Sequence, residues 1–186
     1  MFSRSLFQST RLFSMPLRSM SIKVGDKIPS AHVSVVKFGD SGFTSEIVDT
    51  AKYLENKKVV IVAYPGAFTP TCMNTHIPDY INNATKVKQQ GADEIIAMSI
   101  NDPFVVTAFA EKLGGKQHVN FFADGNGEFT KALGIGMDLS VAQLSTRSKR
   151  MSMVVHNNKV IEINDENGPK LTEVSSCSTI LKQVKK

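Results

Sequence analysis

The chain of 186 residues carries 22 Lys+Arg against 17 Asp+Glu, a formal charge of +5, and is 41% hydrophobic. That length and apolar content suit one domain with a sizeable core and exclude wholesale disorder, and no run approaches the ~18 apolar residues of a membrane-spanning helix. Two cysteines, Cys72 and Cys177, are too few for a disulfide-stapled scaffold or a closed zinc site.

Only five basic residues are arginine, and Arg4, Arg11 and Arg18 all precede the first acidic residue, Asp26. The excess charge is thus concentrated in a leader and gives no reason to invoke nucleic acid. Wound at about 100° per residue, the three arginines fall within roughly 40° of one another. Phe2, Leu6, Phe13 and Leu17 gather about 150° away, while Phe7 and Leu12 break the pattern. Residues 1–20, rich in Ser and Arg and free of acids, have the composition of a mitochondrial transit peptide. The expectation is a mitochondrial matrix protein whose charge falls to +2 when the three leader arginines are removed. Met15 and Met20 leave open a shorter cytosolic product from a later start.

From residue 21 to 186 the composition is that of one globular domain. Lys58–Tyr64 (KVVIVAY) is a continuous β-branched run, the pattern of a strand buried on both faces. Met73–Lys88 places Met73, Ile77, Tyr80, Ile81, Ala84 and Val87 on one helical stripe, with Pro78 inside it expected to kink the helix. Glu94–Ile100 and Val119–Ala123 read as further buried strands. Between them Asp102–Leu113 reads as a helix, with Asp102 as N-cap, Pro103 in the first turn and Gly114-Gly115 as the stop. Ser152–His156 and Lys159–Ile163 flank Asn157-Asn158 as a hairpin, and Ser175/Ser176 cap a last helix running to Val184. Alternating strands and helices ending in an antiparallel hairpin give an α/β domain with a mixed sheet flanked by helices.

The order strand, Pro65-Gly66-Ala67-Phe68-Thr69-Pro70-Thr71, Cys72, helix puts a thiol in a first helical turn. Unpaired amides and the positive end of the helix dipole favour thiolate there, and thiolate is the reactive form. Thr69 stands where a Cys-x-x-Cys reductase would carry its second cysteine, so no local disulfide can form. A hydroxyl at that place can donate to the thiolate or accept from a protic substrate. The implied chemistry is attack on an external electrophile. His76 could imitate a Cys–His pair, but no third group is evident to orient it, and it is read as structural or surface. His32, His118 and His156 lack metal-ligand spacing, and Gly125-x-Gly127 and Gly134-x-Gly136 read as turns.

Together PGAFTPTC, the downstream THIP and the late KRMSMVV resemble the type II peroxiredoxins, the group of peroxiredoxin 5 and fungal alkyl hydroperoxide reductases, from about Ile22 onward. The resemblance implies a thioredoxin-like fold of peroxiredoxin type and thiol-dependent reduction of hydrogen peroxide and alkyl hydroperoxides through a Cys72 sulfenic acid, with no metal and no cofactor. It implies a role in oxidative-stress defence and redox homeostasis. Cys72 then resembles the peroxidatic cysteine, Thr69 the hydroxyl beside thiolate and peroxide, and Pro65 the shield of the pocket. Arg150 is the closest match to the active-site arginine, with Arg147 the alternative. Thr71 replaces the glycine that many relatives have before the cysteine, which could narrow access.

Cys177 resembles a resolving cysteine only in part: four residues separate it from Leu171-Thr172, whereas in the peroxiredoxin 5 branch the cysteine follows that pair directly. It is either a resolving cysteine or a plain helix-start cysteine, with thioredoxin, glutaredoxin or glutathione then supplying the thiol. A homodimer without membrane insertion is the implied assembly. The competing reading is a redox sensor or chaperone-like relay that passes Cys72 oxidation to a partner.

Overall fold

A computed structural model describes residues 21–39, 42–115 and 118–185; the expected presequence, residues 1–20, lies outside them. In chain order the elements are β1 (His32–Gly39), β2 (Gly42–Asp49), α1 (Thr50–Tyr53), β3 (Lys58–Ala63), a π-helical turn (Cys72–His76), α2 (Ile77–Gln89), β4 (Glu94–Ser99) and α3 (Pro103–Lys112). They continue with β5 (Asn120–Ala123), α4 (Glu128–Ala132), β6 (Gly136–Asp138), a 3₁₀ turn (Ser140–Ala142), β7 (Thr146–Ser148), β8 (Met151–His156), β9 (Lys159–Asp165) and α5 (Cys177–Gln183).

Seven strands form one mixed sheet in the order β2-β1-β5-β4-β3-β8-β9, and β6 pairs with β7 separately. β3, β4 and β5 are parallel, while β1 lies antiparallel to β5 and β8 antiparallel to β3. The period-2 alternation of β3 explains its unbroken apolar run. Val60, Val62 and Tyr64 enter one core layer with α2, α3 and α5, whereas Val59, Ile61 and Ala63 enter the other with Phe129, Leu133 and Met153. Both sets are fully buried, and each of the valines and Ile61 contributes roughly 1.5–3 kcal/mol by leaving water.

Local signals act where they were expected. The Asp102 carboxylate accepts from the amides of Phe104 (2.9 Å) and Val105 (3.0 Å), a cap worth about 1 kcal/mol. Asn157 and Asn158 take φ of 46° and 63° between β8 and β9. Ser176, rather than Ser175, caps α5 through the amide of Thr179. The β1–β2 hairpin was not read from the sequence: β2 is exposed along most of its length and carries no strong alternation. One feature differs from expectation. Pro78 kinks no continuous helix: the Ile77 amide reaches back five residues to Cys72 O, and the wider turn makes room for the proline ring. Among the described residues no helix is long and apolar enough to cross a membrane.

Candidate active site

The site assembles at the carboxyl end of β3 and β4. Antiparallel pairing sets Ala63 opposite Met151, so the loop leaving β3 and the residues entering β8 meet at one end of the sheet. The Ser148 hydroxyl donates to Tyr64 O at 2.9 Å and ties the two together. Pro65 and Gly66 are buried, Thr69 is half-buried and Thr71 is exposed. Thr71 has φ −65° and ψ −40°, which any residue adopts, so its place needs no glycine. Phe68 has φ 61°, a strained value for a bulky residue, and its ring packs edge-on against Phe109 at 5.4 Å.

Cys72 is 0% exposed and Arg150 is 2% exposed. Arg150 Nη2 donates to Cys72 Sγ at 3.4 Å, although 78 residues separate them. Its Nε donates to Pro169 O at 2.9 Å and its Nη1 to His76 Nδ1 at 2.9 Å. Among the described residues no carboxylate lies within ion-pair distance of this guanidinium. A buried cation needs polar partners, and those this guanidinium meets are the Cys72 sulfur, the His76 ring and the Pro169 carbonyl.

His76 is buried one turn after Cys72, and its role was not read from sequence. Burial and the Arg150 charge lower its pKa to about 4, so it is neutral at physiological pH. Its partners fix the tautomer: Nδ1 accepts from Arg150, and Nε2–H donates to Ser175 O at 3.2 Å. Ser175 O also accepts from the Tyr80 hydroxyl at 2.7 Å. The i, i+4 spacing of Cys72 and His76 was the available signal, since it sets both on one helix face.

The two late arginines separate. Arg147 extends from β7, donating Nε to Leu144 O at 2.7 Å and Nη1 to Pro65 O at 3.3 Å. Thr69 Oγ donates to Gly66 O at 2.9 Å, so its proton is turned to the backbone rather than to the thiolate, and its lone pairs remain as acceptors. Cys177 is 0% exposed at the start of α5, and its amide donates to Asp79 Oδ2 at 3.1 Å. Burial, then the Asp79 charge, pushes its thiol up to about 12.

A buried thiol in the helical turn after a central strand, facing a buried guanidinium, defines a thioredoxin-fold thiol enzyme. Residues 23–181 match the Redoxin family model. The chain is 42% identical to Peroxiredoxin-2D of Arabidopsis thaliana over 161 residues, 87% of this chain and 97% of that protein. It is 38% identical to the mitochondrial Peroxiredoxin-2F of Arabidopsis thaliana over 158 residues, 84% of this chain and 79% of that protein. Among solved structures, reduced Prx3 of Vibrio vulnificus in complex with hydrogen peroxide aligns at a TM-score of 0.78 and 37% identity, covering 88% of this chain and 99% of that one. The chain belongs to the peroxiredoxins, in their type II group, with a thioredoxin-like fold. It is a thiol peroxidase of oxidative-stress defence.

Proposed function

We propose that Cys72 is the peroxidatic cysteine and Arg150 the active-site arginine, acting on hydrogen peroxide and alkyl hydroperoxides. The observation that carries the reading is the contact of Arg150 Nη2 with the buried Cys72 sulfur. The thiolate attacks the terminal peroxide oxygen; an S–O bond forms, the O–O bond breaks, and the leaving hydroxide or alkoxide takes one proton from solvent to depart as water or alcohol. Sulfur gives up two electrons and becomes a sulfenic acid. Arg150 and the first-turn amides stabilise charge that builds on the oxygens, and Thr69 accepts the peroxide O–H. His76 positions Arg150 by accepting from Nη1 while itself neutral. Pro65 and Thr71 flank the approach to the sulfur.

Reduction proceeds through an external thiol, from thioredoxin or from glutaredoxin with glutathione. The thiol attacks the sulfenic sulfur, water leaves, and a second thiol releases Cys72 from the mixed disulfide. This one-cysteine cycle is favoured over resolution by Cys177. A thiol pushed up to about 12 is ionised in only about one molecule in 10⁵ at pH 7. Because Cys72 is buried, the turn over Cys72–His76 must open to admit a reductant, and a π-helical turn is the weaker part of such a helix.

The homodimer is part of this reading and is supported by the exposed aromatic side chains near the loop, Phe68, Phe104 and Phe43, the last two edge-on at 6.0 Å. Delivery to the mitochondrion is supported by the composition of residues 1–20 and by the mitochondrial relatives.

Intact mass after one equivalent of peroxide tests the cycle. A 16 Da gain trapped by dimedone is expected, and loss of two hydrogens without a dimer would overturn the one-cysteine reading. Cys72→Ser should abolish thiol-dependent peroxide consumption; turnover by that variant would sink the assignment of the sulfur.

A further inference from the structure

The loop that presents Cys72 is held from outside by residues that touch no part of the thiol. The Ala67 amide donates to Asn101 Oδ1 at 2.9 Å, and the Ser99 hydroxyl donates to the same oxygen at 3.1 Å. Arg147 Nη1 lies 3.4 Å from this oxygen and 3.3 Å from Pro65 O, so it joins Asn101 to the far side of the turn. The turn between them is strained at Phe68, and strained backbone persists only where its surroundings over-determine it. Gly66 completes the fit: a Cβ added there would stand 2.6 Å from Arg147 Nη1.

We propose that Arg147 and Asn101 are positioning residues that clamp the Pro65–Thr69 turn and thereby set Thr69 and the first amides of the Cys72 helix for peroxide. The proposal rests on Cys72 being the reacting sulfur. Arg147 comes from the separate β6–β7 hairpin and Asn101 from the end of β4, so two elements that contribute no reacting group meet on one turn. The two arginines then divide the work. Arg150 acts on the sulfur directly, and Arg147 acts on the loop carbonyl of Pro65 and, through Asn101, on the amide of Ala67. A glycine is needed at 66 for the guanidinium's approach, not for backbone freedom, because Gly66 is not among the positive-φ glycines.

The test is the single-turnover rate constant of Cys72 oxidation by hydrogen peroxide, with dimedone trapping, in Arg147→Met, Asn101→Ala, Gly66→Ala and the Gly66→Ala/Arg147→Met double variant. Arg147→Met and Asn101→Ala should each lose about tenfold to a hundredfold through misplacement of the reacting groups. Gly66→Ala should reproduce Arg147→Met, since the new methyl displaces the same guanidinium. The double variant should then be no slower than either single one, because both changes remove one shared contact.

Two further readouts separate positioning from general damage. Exchange of the Ala67 amide hydrogen should quicken in Arg147→Met while the thermal midpoint stays within a few degrees, and the rate–pH midpoint should stay at the wild-type value. A rate within twofold of wild type in Arg147→Met, multiplying losses in the double variant, or a displaced rate–pH midpoint would each overturn the clamp. Cys72→Ser in parallel keeps the readings apart: oxidation surviving in it defeats the assignment of Cys72, whereas a Cys72-dependent reaction untouched by Arg147→Met defeats the clamp alone.

Discussion

Cys72 and Cys177 occupy the same kind of place: each is fully buried and each opens a helical segment. Their neighbours are opposite in sign. Cys72 faces the guanidinium of Arg150, and Cys177 packs beside the carboxylate of Asp79, which accepts its backbone amide. Burial and that carboxylate push the Cys177 thiol up to about 12 although it begins a helix. The helix-start field is therefore not sufficient to make a reactive cysteine. It contributes about 0.3–1 kcal/mol at exposed sites, and desolvation together with a half-buried carboxylate neighbour outweighs it. A side chain brought in from 78 residues away gives Cys72 a cationic neighbour where Cys177 has a carboxylate.

Exchanging or weakening those neighbours tests the contrast. The largest effect is expected for Arg150→Lys, which keeps the charge but loses the fork that spans Sγ, His76 and Pro169 O. Its rate with hydrogen peroxide should fall about a hundredfold in stopped-flow oxidation, and a loss below threefold would break the contrast.

The His76 side of the arginine should appear in the pH dependence of stability. Its folded value, about 4, lies below the ordinary 6.5, so the unfolded chain binds the extra proton between those values. The contribution is full above pH 6.5 and is lost as pH falls toward 4, by about 3 kcal/mol in all. Urea unfolding at intervals between pH 7 and 4 measures it. His76→Gln, with no titration there, should flatten that part of the curve, and an unchanged slope would contradict the assignment.

On the Cys177 side, Asp79→Asn removes the smaller of the two causes and leaves burial in place. In a Cys72→Ser background, alkylation of Cys177 at pH 9 should rise only a few-fold. The smallest effect is expected for Cys177→Ser. Glutaredoxin- or thioredoxin-linked turnover should stay within about twofold of wild type, and loss of both would return Cys177 to the cycle.

Much of this was legible from residue order. The buried run of β3, the capped helix after Asp102, the Asn-Asn hairpin and the strand–loop–helix placement of Cys72 follow from local rules that hold regardless of partners. Arg150 was the closest match by resemblance, with Arg147 the alternative, and residue order alone did not separate them. In the folded sheet Arg150 shares the even parity of Val154, which lies in the Cys72 layer, while Met151 and Met153 enter the other.

Sequence alone fixed a reactive-cysteine candidate, its helix and a short choice of arginines, because alternation, capping and turn chemistry are interactions between near neighbours. Tertiary structure decided the rest. Pairing of β3 with β8 carried Arg150 across 78 residues to the sulfur, and packing of α5 on α2 set Asp79 beside Cys177. The turn of Thr69's proton to Gly66, the neutral His76 and the reach of Arg147 to Pro65 are likewise contacts between groups that only the folded sheet brings together. Charge and burial act through distance in space, and strand order, which sets those distances, is written in no local pattern.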